Sequence, residues 1–429
     1  MVERSAESAN GGVRGACPSC GAVLPARVDE ANGALYLVLR CPEHGETRTL
    51  YKKDPDFYRE VSRIAADGGG ASPLRVPCEK VDLRRAKIIG IELTERCNLS
   101  CPTCFADANR SAAPEMSAEF VLAELAKLPT RKLEITLLGG EPPLRDDLPR
   151  LVGEILRMGF KLKLITNGLR LEDREYAAEL RRRGLEWLIY QFDGFDPDIY
   201  VRLRGRDLLD RKMKILDTVT GLGFKVCLAV MLVEGVNDHQ IGDLIRFGFR
   251  HPGVRHVALL PGSSIGRDAL ALDAGHLHAE DVMDRIAAQT GGRIERRDWL
   301  DTMRFMARVH AVTGHIDFKQ RVCFFPMPLV GTADRFLPAV RLARPLGLAR
   351  NLGYLPHAAN IVRKLFSVDE GRMAEDFLYL SIEKMYGNAG LHLEDAGQCN
   401  TLYLTPEGLV PTCVYNALNR GALRSCASC

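Results

Sequence analysis

Cys97-Asn-Leu-Ser-Cys101-Pro-Thr-Cys104 follows directly on the apolar run Ile88-Ile-Gly-Ile-Glu-Leu93. Three thiols at CxxxCxxC spacing on one short loop can ligate three irons of a cubane cluster and leave the fourth iron open. An open iron can bind a ligand and pass it an electron, which a structural four-cysteine cluster does only by losing a ligand. The competing reading, half of a zinc site, lacks a fourth ligand nearby.

Outward from this loop, strands and helices alternate. Strand candidates are 87–93, 132–138, 161–165, 187–192, 225–232 and 256–260. Amphipathic helical runs cover 117–128, 146–158, 172–183, 208–222, 237–249 and 279–289, with Gly159, Gly184 and Gly223 placed as helix C-caps. Six βα units with short loops predict an α/β fold, a parallel sheet curled into a partial (β/α)6, TIM-like barrel over 86–298. Chemistry in such folds collects at the C-terminal ends of the strands. The cysteine loop, Leu138-Gly139-Gly140-Glu141-Pro142 and Thr166-Asn167-Gly168 all follow strands, so they share one rim.

Residues 1–66 form a first unit. Cys17-Pro-Ser-Cys20 and Cys41-Pro-Glu-His44 flank a strand-like Ala34–Arg40, a rubredoxin-like or zinc-ribbon knuckle whose three thiols and one imidazole suit zinc or a single iron. A linker follows over 67–85. Residues 299–394 are expected to form a helical, substrate-side region. Within it, 335–365 holds five Arg and one Lys with no acid, the pattern of a basic apolar helix on a membrane surface or lipid, or of a lid with a solvated basic face. The segment 395–429 carries Cys399, Cys413, Cys426 and Cys429 around an apparent hairpin. Four thiols there fit a second [4Fe-4S] cluster, a zinc ion, or no ligand at all. Cys78, Cys227 and Cys323 stand alone and read as small buried hydrophobes.

The whole chain has 429 residues, 46% apolar and 26% charged, and a net charge of +3. That balance argues against a nucleic-acid partner. The polar start lacks a secretion signal, and no run is long enough to span a membrane, so a cytoplasmic, reducing location is expected. There the 13 cysteines read as ligands rather than disulfides.

The cysteine loop and the Gly-Gly-Glu-Pro together resemble the radical S-adenosylmethionine (SAM) superfamily. The resemblance implies catalytic cluster ligands Cys97, Cys101 and Cys104, with SAM's methionyl group on the open iron. Gly139 and Gly140 would allow close backbone approach, and Glu141 would meet the amino group. Thr166 and Asn167 would take ribose hydroxyls, and Gln191 and Asp193 would face SAM or substrate. Asn237 reads as a helix cap. The superfamily usually has an aromatic before the third cysteine, where this chain has Thr103. The end of the chain resembles SPASM and Twitch auxiliary-cluster domains.

The N-terminal Cys-Pro-x-Cys, Gln191-Phe-Asp-Gly194, Gly235-Val-Asn-Asp238 and Gln289-Thr-Gly-Gly resemble one branch, which contains archaeal tetraether lipid synthase and methanogen dihydropterin methyltransferase. That branch implies carbon–carbon bond formation on a small-molecule or lipid substrate, with an external low-potential reductant. Leu260-Pro-Gly-Ser-Ser departs from the branch pattern after the sixth strand. A peptide maturase and a non-catalytic iron–sulfur scaffold or sensor are the alternatives. Gly-Gly-Glu-Pro speaks against the last, since a scaffold needs no SAM pocket.

Overall fold

The structure is a computed structural model and describes residues 13–67, 86–109, 115–262, 265–267, 277–313, 324–328, 377–383 and 401–419. The basic apolar 335–365 segment, Cys78, Cys323, Cys399, Cys426, Cys429 and nearly all of the 67–85 linker lie outside the described residues.

The N-terminal unit is a four-stranded antiparallel sheet in chain order: β1 (Arg14–Ala16), β2 (Val23–Ala31), β3 (Ala34–Cys41) and β4 (Gly45–Lys52). Asn32 and Gly33, both at positive φ, make the β2–β3 hairpin turn. Helix α1 (Pro55–Asp67) follows.

In the core, β5 (Ile88–Thr94), β6 (Glu134–Gly139), β7 (Lys161–Thr166), β8 (Trp187–Gln191), β9 (Lys225–Leu232) and β10 (Val254–Pro261) lie side by side in chain order. Every adjacent pair is parallel. These strands read as near-continuous apolar runs because a parallel sheet is covered on both faces. Ile89, Ile91, Leu137, Leu164 and Val226 are fully buried. Helices α2 (Ala118–Ala126), α3 (Leu148–Arg157), α4 (Arg174–Arg182), α5 (Pro197–Arg204), α6 (Leu209–Gly221), α7 (Ile241–Arg250) and α8 (Ala279–Gln289) fill the connections. Ser117, Asp173 and Asp196 cap α2, α4 and α5 by accepting backbone N–H bonds. Gly159, Gly184 and Gly223 end α3, α4 and α6 at positive φ, where only glycine avoids strain.

The sheet runs further than the sequence implies. The 299–394 region, expected to be helical, does hold most of α9 (Arg296–Thr313), but it also supplies β11 (Phe324–Pro328) and β12 (Phe377–Ile382). β12 adds a parallel strand beside β10, and β11 pairs antiparallel outside it. Two prolines in β11 suit an outer strand, because Pro cannot donate to a neighbour. At the opposite edge the 401–411 hairpin, β13 (Thr401–Thr405) and β14 (Gly408–Pro411), joins the barrel sheet, with β13 parallel to β5. Close approach there requires Gly90: a Cβ at that position would stand 2.5 Å from the Tyr403 ring.

The N-terminal unit is seated on two segments of the rest of the chain, 281–304 and 413–417. Lys53 pairs with Asp281, Arg296 with Asp54 and Arg304 with Glu60, while Ile64 packs on Met303. On its other side Ala16 clusters with Val414 and Ala417, with Cys413 and Val23 against them.

Gly90→Ala is expected to destabilise the protein by about 1–3 kcal/mol through overpacking, and Tyr403→Leu in the same chain should recover part of that loss. Denaturant midpoints of the single and double variants test this; an equal cost of Gly90→Ala in both backgrounds would refute the contact.

Candidate active site and metal centres

Because the core strands are parallel, their C-terminal ends form one rim. The 97–104 loop leaves β5 there. Asn109, not singled out from the sequence, organises it: its side-chain oxygen accepts the Cys97 N–H (2.8 Å), and its amide donates to the carbonyls of Cys97 (3.0 Å) and Leu99 (3.2 Å). Asn109 sits at φ 66, a left-handed conformation that Asn tolerates better than most residues. Thr103, where the superfamily usually has an aromatic, is buried and donates to the Leu203 carbonyl (3.0 Å), tying the loop to α5. Gly266 leaves room for the Cys104 carbonyl, which the next residue, Arg267, binds through its backbone N–H (3.1 Å).

The three thiols suit a polynuclear cluster. Among the described residues, the only three or more His, Cys, Asp or Glu ligand atoms that all lie within 4.8 Å of one another are in the N-terminal unit. Arg267 Nη2 is buried beside the loop without a hydrogen-bond partner, a donor suited to cluster sulfur. Burial pushes the Cys97 thiol up to about 11. It raises Cys101 as well, against the pull of the Arg204 guanidinium. Metal must therefore displace protons from both.

Gly139 and Gly140 bring β6 against the cysteine strand. A Cβ at either would lie 2.4 Å or less from a backbone oxygen, Thr94 O or Arg96 O. Gly140 donates to Thr94 O (2.7 Å) and Glu141 to Arg96 O (2.8 Å). Glu141 itself is fully buried. Its carboxylate accepts from the Thr166 hydroxyl and from the Asn167 N–H (2.8 Å), and burial pushes it up to about 7. The carboxylate thus ties β6 to the next strand end. Asn167 reaches the cysteine loop, donating to Asn98 Oδ1 (2.7 Å) and lying 3.7 Å from Cys97 Sγ.

Gln191 and Asp193 end the neighbouring strand. Asp193 is fully buried, held bidentately by Arg204 (2.7 Å each) and contacted by Gln191 Nε2 (2.5 Å). Arg204, which the sequence reading passed over, also donates to the Thr103 carbonyl (3.2 Å). Asn237 holds the N-cap position of the short Asp238–Gln240 turn, but its side chain makes no cap bond. It accepts from Val233 N–H and donates to the Asp193 and Met231 carbonyls, closing the loop after β9.

In the N-terminal unit, Cys17, Cys20, Cys41 and His44 converge. Cys20 and Cys41 sulfurs are 3.8 Å apart, and His44 Nδ1 lies 3.5 Å from Cys41 and 3.9 Å from Cys17. A tetrahedral zinc with bonds of about 2.3 Å to sulfur and 2.0 Å to nitrogen needs roughly these spacings. Of the C-terminal set only Cys413 is described; it is half-buried beside the ribbon. Cys227 is buried, as a lone core thiol should be. Among the described residues no helix is long and apolar enough to cross a membrane.

Asn109→Ala should lower iron incorporated at the rim after anaerobic reconstitution, because three loop hydrogen bonds of roughly 0.5–1.5 kcal/mol each are lost. Iron assay against the parent protein checks it, and equal iron would refute the role. Cys41→Ser should release the metal the ribbon binds and lower thermal stability without changing rim iron, since a structural metal supplies folding energy. Elemental analysis and a melting curve read both.

Comparison with known proteins gives the family. The radical SAM superfamily profile matches residues 91–248, and the profile of an HMPTM N-terminal zinc ribbon domain matches residues 11–53. The chain is 32% identical over 313 residues to 7,8-dihydro-6-hydroxymethylpterin dimethyltransferase of Methanocaldococcus jannaschii, covering 66% of this chain and 59% of that protein. It is 33% identical over 290 residues to a probable GTP 3′,8-cyclase of Methanothermobacter marburgensis, covering 59% of this chain and 94% of that one. A crystal structure of Streptococcus suis SuiB bound to precursor peptide SuiA aligns with a TM-score of 0.42 at 14% identity, covering 66% of this chain and 71% of that one. With a zinc ribbon at its N-terminal side and a relative matched over nearly its whole length, this chain belongs to the radical SAM superfamily.

Proposed function

We propose that this radical SAM enzyme forms a carbon–carbon bond, by methylation or coupling, at an unactivated carbon of a small molecule. The observation that carries the reading is the rim itself: three thiols on one loop after β5, with Asn167 at the end of β7 3.7 Å from Cys97. Cys97, Cys101 and Cys104 would hold the [4Fe-4S] cluster, which supplies the electron that splits SAM into methionine and a 5′-deoxyadenosyl radical.

The protein's own part is placement. Gly139 and Gly140 seat β6 against the cysteine strand, while Thr166, Asn167 and Gln191 line the adjoining strand ends. Glu141, the expected partner of SAM's amino group, and Asp193, facing SAM or substrate, also fix those groups. Cys413, with Cys399, Cys426 and Cys429, is assigned to a second cluster, and the ribbon's four ligands to zinc.

A fused nitrogen heterocycle is the substrate class the relatives' names favour: one acts on a dihydropterin and another on GTP. The lipid expectation rests on 335–365, outside the described residues, and draws no support from those relatives.

Anaerobically reconstituted protein should carry about eight irons if both clusters form, and about four would remove the second. With dithionite and SAM it should release 5′-deoxyadenosine, and Cys101→Ala should abolish that release. Deuterium should pass into 5′-deoxyadenosine from labelled pterin; transfer from labelled lipid or peptide alone would overturn the substrate class.

A further inference from the structure

Lys212 lies on α6, is fully buried, and belongs to no motif. Its ammonium donates to three acceptors: the Asn167 carbonyl (2.5 Å), the Gln191 carbonyl (2.9 Å) and Gln191 Oε1 (2.9 Å). That uses all three donors an ammonium has. It also stands 4.8 Å from the centre of the Tyr190 ring, whose hydroxyl donates back to the Lys212 carbonyl (3.0 Å). A lysine is almost never fully buried unless paired, since removing its charge from water is costly. An apolar side chain would fill the same volume without that cost. All three acceptors sit at the rim ends of two neighbouring strands, β7 and β8.

The Asn167 backbone is therefore gripped from both directions. Its N–H is accepted by Glu141 and its carbonyl is bound by Lys212, while its side chain reaches Asn98 and Cys97. Two buried acids, Glu141 and Asp193, and two buried bases, Lys212 and Arg204, surround these strand ends. Their formal charges sum to zero, and one or another of them touches the Asn167, Gln191 and Thr103 segments.

We propose that Lys212 is a positioning residue for SAM: with Glu141 it clamps the Asn167 peptide and fixes Gln191, preorganising two strand ends before the cofactor arrives. The inference rests on the reading that this rim binds SAM. Preorganised polar groups bind more tightly because their ordering is already complete, so loss of the clamp should appear chiefly in SAM affinity.

Lys212→Met provides the test, in the full chain after anaerobic reconstitution. Hydrogen exchange without SAM should show amide protection falling at 167–169 and 191–193 while β9 stays protected. Rim iron should match the parent protein, and SAM should bind at least about tenfold more weakly, as loss of charge-assisted hydrogen bonds predicts, read from the SAM-induced change in the cluster's electron paramagnetic resonance signal. Lys212→Gln, neutral but still a donor, should fall between the two. SAM affinity within twofold of the parent, or protection lost evenly across the barrel, would overturn the proposal. So would failure of both variants to fold, because the role would then be general stability. A parent protein that binds no SAM would instead remove the reading of the rim, and the exchange pattern would still report on the clamp.

Discussion

Parallel pairing in strict chain order is the constraint on which the rest of the molecule depends. Thr166 pairs with Tyr190 across β7 and β8, so Asn167 and Gln191 leave their strands at the same level. Thr94 pairs with Gly139 in the same manner, which brings the cysteine loop and Gly140 together. A slip of one residue at either pair would turn every side chain of that strand to the opposite face. The rim residues would then no longer meet.

Beneath the rim the protein tolerates four fully or almost fully buried charges. Such a set survives in a low-dielectric interior only when it is balanced and saturated with hydrogen bonds. Both conditions hold: Arg204 grips Asp193 bidentately, and Lys212 and Glu141 meet through the Asn167 backbone. Burial pushes Glu141 up and Lys212 down, each to about 7, and the opposite charge of the other partner resists both shifts. Breaking one member would leave its partner stranded, so the four groups behave as a unit.

Much of this was legible in the sequence, because the signals were local. Apolar runs, capping residues and glycines after helices marked the six strands, and the CxxC and CxxH spacings marked the ribbon's ligands. What escaped depended on long-range pairing. Neither Phe377–Ile382 nor Thr401–Thr405 carries any mark of which strand it will join, and β12 and β13 lie far along the chain from their partners. Asn109, Arg204 and Lys212 were invisible for a related reason. Each looks like an ordinary loop or helix residue until the fold brings acceptors to it. Glu141 was noticed, but its partners were not: spacing places a carboxylate after β6 without saying that Thr166 and Asn167 will donate to it.

The pairing of β13 with β5 has a consequence for biosynthesis. The first barrel strand leaves the ribosome long before its β13 partner, so its outer edge stays unsatisfied until residues 401–404 have been made. Tyr415, which donates to Glu92 from 323 positions away, arrives later still. Throughout that interval the nascent chain presents an open β edge, the surface most prone to join a wrong partner. Closure by a strand made long after β5 leaves the barrel sheet incomplete well beyond the synthesis of its six core strands.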